Sequence, residues 1–173
     1  MVEPPCQRVS GRDRTMRRGG HIARENGWAA FVNMQCQYNL LYREEEREML
    51  PCCRDQGIAV TGFSPLARGR LVGSTGIRSK TDAFYNKFYG DALDREICLQ
   101  VAAMAKDRGT TSAEVAFAWL CSKPDICCPI AGASSVSQLE DYVKALDFQL
   151  SLEEIETLDG LYRPRGCHQR PCS

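Results

Sequence analysis

The chain has 173 residues, 43% of them hydrophobic and 25% charged, with 22 basic side chains set against 22 acidic ones. That is the make-up of an ordinary soluble globular protein, and it excludes fibrous and intrinsically disordered classes. A formal charge of zero gives no general electrostatic case for nucleic acid or for an anionic membrane surface, and no run approaches the ~18 apolar residues of a transmembrane helix.

The amino terminus lacks the apolar core of a secretory signal. Its first 24 residues carry Arg8, Arg12, Arg14, Arg17, Arg18 and Arg24 against Glu3 and Asp13, which leaves a transit-peptide reading open. Residues 1–20 show no apolar periodicity and concentrate Pro, Arg and Gly, so residues 1–22 are expected to be a disordered or foreign lead-in. The stretch 21–27 reads as the end of a helix. Residues 31–37, FVNMQCQ, have the length and alternation of a strand, with residues 38–41 as its exit.

Residues 43–56 read as a helix, with Glu44, Glu45, Glu46 and Glu48 near its positive end and Gly57 at a left-handed stop. Pro51 inside it predicts a kink. The glutamates diverge around a helix, which points to a solvated face over a metal site. Residues 58–63 form an apolar run that ends on Phe63 and passes into a polar loop, 64–69. Such a run reads as a buried parallel strand, and the carboxyl end of a parallel strand is where α/β folds place ligands.

Residues 71–92 lack periodicity and read as a long loop, a feature that is usually functional inside a compact domain. Residues 94–108 form an amphipathic helix closed by Gly109. A second helix starts near Thr111 or Ser112, with Glu114 close behind, and ends before Pro124. Residues 126–130 are the next strand, and its exit, residues 131–135, is a Gly/Ser turn. Helices over 137–146 and 151–161 follow, the latter opening on a capping box of Ser151 and Glu154. Strand, helix, strand, long loop, two helices, strand and two helices make an α/β protein with a parallel sheet, either part of a β/α barrel or an open sheet.

Ten cysteines are many for this length. Cys52-Cys53 and Cys127-Cys128 are adjacent pairs whose side chains diverge, and no CxxC spacing occurs, so structural zinc is disfavoured. Cys167, His168 and Cys172 lie in a tail, 166–173, that reads as a ragged terminus more readily than as a metal site. The thiols are expected to be mostly buried and reduced, in a cytoplasmic protein.

The segments FVNMQCQYNLLYREEEREMLPCCRDQGIAV, GFSPLARGRL, AEVAFAWLCSKP, PIAGASSVSQLED and LSLEEIETLDGLYRP, in that order and spacing, resemble the aldo-keto reductases over residues 23–165. The resemblance is to the branch related to aryl-alcohol dehydrogenases and potassium-channel β subunits. It implies a (β/α)8 TIM barrel that reduces carbonyls with NADPH, of which this chain would supply the last three strands and their helices. Gln35 would then hydrogen-bond the nicotinamide carboxamide, and Phe63 would stack on its ring. Ser64, Pro65, Leu66 and Gly69 match the pyrophosphate loop, where small residues and free backbone donors allow close approach. Gly132, Ser134, Gln138 and Asp141 match the segment that holds the adenosine end, at a helix start that favours phosphate. Many relatives carry a basic residue after the glycine for the 2′-phosphate. Residues 133–141 have none, and Arg78 matches an alternative basic position, so NADP(H) over NAD(H) is a lean.

By the same resemblance the catalytic tetrad, an Asp, a Tyr, a Lys and a His, belongs to the first half of the barrel and has no counterpart here. His21 and His168 are the only histidines, and neither follows a predicted strand. A closed barrel takes roughly 250 residues, so the chain is expected to expose apolar surface and to self-associate or pair with a missing amino-terminal half. Three readings follow: a truncated reductase acting on a small carbonyl or alcohol, an inactive cofactor-binding or regulatory module, and a product without function.

Overall fold

The computed structural model describes residues 13–73, 89 and 92–164. Three parallel strands, β1 (Asn33–Gln37), β2 (Ala59–Phe63) and β3 (Ile126–Ile130), form one sheet in chain order. Helix α1 (Asp13–Glu25) precedes them, α2 (Met49–Gln56) joins β1 to β2, α3 (Ala92–Asp107) and α4 (Ser112–Cys121) join β2 to β3, and α5 (Val136–Asp147) and α6 (Leu152–Leu161) follow. Among the described residues the expected strands and helices occur in the expected order. None of the described helices is long and apolar enough to cross a membrane.

Alternation explains how the sheet sits. Successive strand side chains point to opposite faces, and along β1 Met34 and Cys36 are buried while Asn33, Gln35 and Gln37 are half-buried. Met34, Cys36, Val60 and Ile126 join Leu50 and Cys53 of α2, Val101 of α3, Trp119 and Leu120 of α4 and Leu158 of α6 in one apolar core. Trp119 has no exposed surface and stacks on Tyr38 with ring centroids 5.5 Å apart. β2, expected to be a buried strand, is buried at Val60, Thr61 and Gly62 and half-buried at its ends, whereas β3 beyond Ile126 is largely exposed.

Helix ends follow their local chemistry. Thr111 caps α4 in a reciprocal box with Glu114, and Ser151 caps α6 with Glu154 in the same way. Gly57 ends α2 at φ 64°, a conformation that glycine adopts without a Cβ clash.

Several expectations need correction. The helix read at residues 21–27 starts at Asp13, so the lead-in assigned to residues 1–22 is helical in its second half. The helix read over 43–56 is broken into a 3-10 turn, Glu44–Glu46, and α2. Pro51 then falls in the first turn of α2, where its missing N–H has no intrahelical partner to lose, and the break upstream replaces the expected kink. The glutamates are not simply solvated: Glu44 is 4% exposed and accepts from Arg47 Nη1 at 2.9 Å and from the Tyr162 hydroxyl at 2.8 Å. Glu46 accepts from Arg43 Nε at 2.8 Å and from the Tyr38 hydroxyl.

The thiols divide more evenly than expected. Of the seven described, Cys36, Cys52 and Cys53 are buried, Cys98 is intermediate, and Cys121, Cys127 and Cys128 are exposed. Burial pushes Cys36 far up and Cys53 and Cys98 up to about 11, which keeps these three protonated and unreactive. Most of the long loop at 71–92 and the Cys167–His168–Cys172 tail lie outside the described residues.

Candidate functional site

Parallel pairing brings the carboxyl ends of all three strands to one edge of the sheet. Gln35 stands opposite Thr61 and Gln37 opposite Phe63, and on the other side Thr61 faces Cys128 and Phe63 faces Ile130. An irregularity between Val60 and Thr61 shifts the register, so Ile126 opposes Val60 and Cys128 opposes Thr61. Gln35, Gln37, Thr61, Phe63, Cys128 and Ile130 consequently share the face turned away from the core. Asn33 Nδ2 donates to Thr61 Oγ1 at 2.8 Å across this face, and Thr61 Oγ1 lies 3.6 Å from Cys128 Sγ.

The chain leaves β2 through a left-handed sequence. Ser64 (φ 61°), Ala67 (φ 47°), Arg68 (φ 58°) and Gly69 (φ 92°) all have positive φ, and three of the four are not glycine. Each such residue costs on the order of 1 kcal/mol and persists only where its surroundings hold it. The Ser64 carbonyl is held twice, by Asn39 Nδ2 at 2.9 Å and by the Ala67 N–H at 3.0 Å. Gly69 and Leu71 N–H both donate to the Leu66 carbonyl, at 2.8 and 3.4 Å. Pro65 is buried, and Leu66 packs against the core. The backbone donors expected to be free are thus partly engaged in the loop's own turns at Ala67, Gly69 and Leu71.

The second junction lies beside the first, because Phe63 and Ile130 are register partners and Gly132 follows two residues later. A Cβ at Gly132 would meet nothing within 4 Å, so the chain's own packing does not require glycine there, and the space is open to a ligand. Ser134 N–H and Oγ both donate to Gln138 Oε1, at 2.8 and 3.1 Å, and Ser135 caps α5 by accepting from the Gln138 N–H at 3.3 Å. The Tyr142 hydroxyl donates to the Gly132 carbonyl at 3.2 Å. Asp141, half-buried, lies in the first turns of the same helix. Gly132, Ser134 and Gln138 form one bonded unit at the positive end of α5, a place that favours anions.

Of the residues predicted from sequence, Gln35, Phe63, Ser64, Pro65, Leu66 and Gly69 gather on β1, β2 and the loop after β2, and Gly132, Ser134, Gln138 and Asp141 gather at the start of α5. Arg78 lies outside the described residues. His21 lies on α1, exposed, 3.2 Å from Glu25, and not at a strand end. Sequence reading missed Asn39, Tyr89 and Tyr142, whose partners stand 25, 50 and 10 residues away and leave no local pattern.

A cavity of about 230 Å³ lies elsewhere, lined by Tyr38, Glu46, Arg54, Lys123 and Asp125 among others. None of the predicted site residues lines it. Its charged groups are already paired: Arg54 with Asp125 at 2.5 Å, Lys123 with Asp159 at 2.6 Å, and Glu46 with Arg43. This arrangement fastens helices together and leaves little for a ligand.

Residues 15–163 match the family described as the Aldo/keto reductase family, beginning inside α1 and ahead of residue 23. Among similar proteins, "Putative aryl-alcohol dehydrogenase C977.14c" of Schizosaccharomyces pombe is 41% identical over 149 residues, covering 83% of this chain and 42% of that protein. "Aldo-keto reductase AFTS1" of Alternaria alternata is 38% identical over 150 residues, covering 84% and 40%. "Versiconal hemiacetal acetate reductase" of Aspergillus parasiticus is 36% identical over 155 residues, covering 86% and 45%. The chain spans less than half the length of these relatives.

Proposed function

The chain belongs to the aldo/keto reductase family, and from that membership we propose that it is the cofactor-holding portion of a carbonyl reductase, with NADP(H) lying across the carboxyl ends of β1, β2 and β3. The observation that carries this reading is the parallel register, which sets the exit of β2 at Phe63 beside the exit of β3 at Ile130. Gln35 would hold the nicotinamide carboxamide and Phe63 would cover the ring, an offset stack worth about 1 kcal/mol beyond its buried area. The left-handed loop of Ser64, Pro65, Leu66 and Gly69 would follow the pyrophosphate, and Gly132, Ser134, Gln138 and Asp141 the adenosine end. Arg78 is the proposed partner of a 2′-phosphate. When bound, the cofactor supplies the hydride that interconverts carbonyl and alcohol.

These residues bind and orient, but they do not supply a proton. The sheet face that carries Gln35, Gln37, Thr61, Phe63, Cys128 and Ile130 has amides, a hydroxyl, a thiol and apolar groups, and no carboxyl, imidazole or amine. In this reading the general acid belongs to the part of the relatives' length that this chain does not span, and the chain packs against that part as the closing segment of a β/α barrel. The same absence favours a second reading, a cofactor-binding module without activity of its own.

Fluorescence titration with NADPH tests the common premise: saturable binding is expected, weakened at least about tenfold by Phe63→Ala and by Gln35→Ala through loss of stacking and of hydrogen bonds. Wild-type protein that shows no saturable binding would remove it. Carbonyl-dependent oxidation of NADPH then separates the two readings, since the module binds cofactor without turning it over even when the remaining portion of a relative is supplied.

A further inference from the structure

Tyr89 is almost fully buried, 4% exposed, and its hydroxyl accepts from Gln37 Nε2 at 2.5 Å and from Asn39 Nδ2 at 3.3 Å. Gln37 is the register partner of Phe63, and Asn39 lies two residues beyond it with no exposed surface. Asn39 is saturated: its Oδ1 accepts from the Leu41 N–H at 2.9 Å, its backbone pairs both ways with Tyr42, and its Nδ2 is shared between Tyr89 and the Ser64 carbonyl. A buried amide in this position has one orientation that satisfies all its partners, and the tyrosine hydroxyl is one of the acceptors that fix it. The chain from Tyr89 through Asn39 ends on Ser64, the first left-handed residue of the loop after β2.

We propose that Tyr89 is a positioning residue for the nucleotide site: through Asn39 it sets the Ser64 peptide, and with it the direction in which the pyrophosphate loop leaves the sheet. Ser64 has the Cβ that makes its conformation costly, so an outside hold is required. The Ala67 N–H supplies one and Asn39 the other. The Tyr89 hydroxyl also hydrogen-bonds the Ser64 side chain, a direct hold on the same residue beside the one through Asn39. Burial pushes its hydroxyl up while the hydrogen bonds from Asn39, Gln37 and Ser64 pull it down, and the net shift is upward, so the group stays protonated across the working pH range. The inference rests on the nucleotide reading for its functional consequence alone.

Tyr89→Phe keeps the ring and removes the hydroxyl. Hydrogen exchange in the ligand-free chain should show the Ala67, Gly69 and Leu71 amides exchanging about tenfold faster, the scale of one lost buried hydrogen bond. The capped Glu154 amide, at the start of α6, should not change. NADPH affinity should fall by a similar factor. Faster exchange at all these amides would make Tyr89 an ordinary core residue and overturn the proposal, and so would unchanged exchange in the loop. Wild-type protein that binds no NADPH brings down the nucleotide reading, and the exchange pattern alone then decides the link from Tyr89 to Ser64.

Discussion

Glu154 shows what a single side chain does at the surface. Its carboxylate accepts from the Ser151 N–H at 2.7 Å and from Arg108 Nη1 at 2.7 Å, and it closes the capping box of α6. The Ser151 backbone bond, aided by Arg108, outweighs the opposing effect of burial and holds the carboxyl below its ordinary value of 4.5. A carboxylate lowered in the folded state adds stability that is complete above the unfolded value and disappears as pH falls through the folded one. Glu154→Gln should therefore lower the thermal midpoint at neutral pH. The gap from wild type should begin to close near pH 4.5 and be gone in stronger acid. A gap that stays constant from pH 7 to pH 3 would assign the effect to shape and not to charge.

At the scale of elements, Asp159 fastens α6 to the rest of the molecule. It accepts from Arg43 Nη1 at 2.8 Å, Trp119 Nε1 at 2.9 Å and Lys123 Nζ at 2.6 Å, which joins α6 to the exit of β1 and to the end of α4. Arg43 also lies over the Trp119 and Tyr162 rings at 5.2 and 5.3 Å, with its side chain 10% exposed. Asp159→Ala leaves that guanidinium with Glu46 as its one carboxylate partner among the described residues and should cost about 2–4 kcal/mol in urea denaturation, whereas Asp159→Asn, which keeps an acceptor, should cost less. Equal losses for the two variants would show that the interactions are not charge-assisted. Nothing in the sequence around Asp159 announces this role, since Arg43 is 116 residues away. The caps are the opposite case: Thr111 with Glu114 and Ser151 with Glu154 stand three residues apart, so local spacing was enough to read them. The same contrast divides the site. Strand ends at Phe63 and Ile130 and the turn at Gly132 follow from apolar runs and turn residues, but the Tyr89–Asn39–Ser64 connection depends on contacts made only once the chain has folded.

For the whole molecule, the question is what covers its apolar surface. On α5, Val136, Leu139, Val143 and Leu146 are 73%, 55%, 56% and 62% exposed, at spacings of three, four and three that place them in one stripe. The opposite side of α5 is already used, with Ala145 buried and Tyr142 stacked on Phe117 at 5.1 Å. Ile130 on β3 is 45% exposed nearby in the chain, and β1 and β3 each have one edge without a partner strand among the described residues. A stripe of this kind together with open sheet edges is surface that stable monomers seldom leave to water. In the reading proposed above, it is where the rest of the barrel packs. The chain alone should then bind an apolar dye and sediment with a mass that rises with concentration, because copies of it cover one another's stripes. Leu139→Gln with Leu146→Gln should reduce both effects and leave NADPH affinity within about twofold, since neither side chain is among the proposed cofactor contacts. A chain that stays monomeric at high concentration, melts cooperatively and binds no dye would show that this surface is tolerated in water, and barrel completion would lose its main physical support.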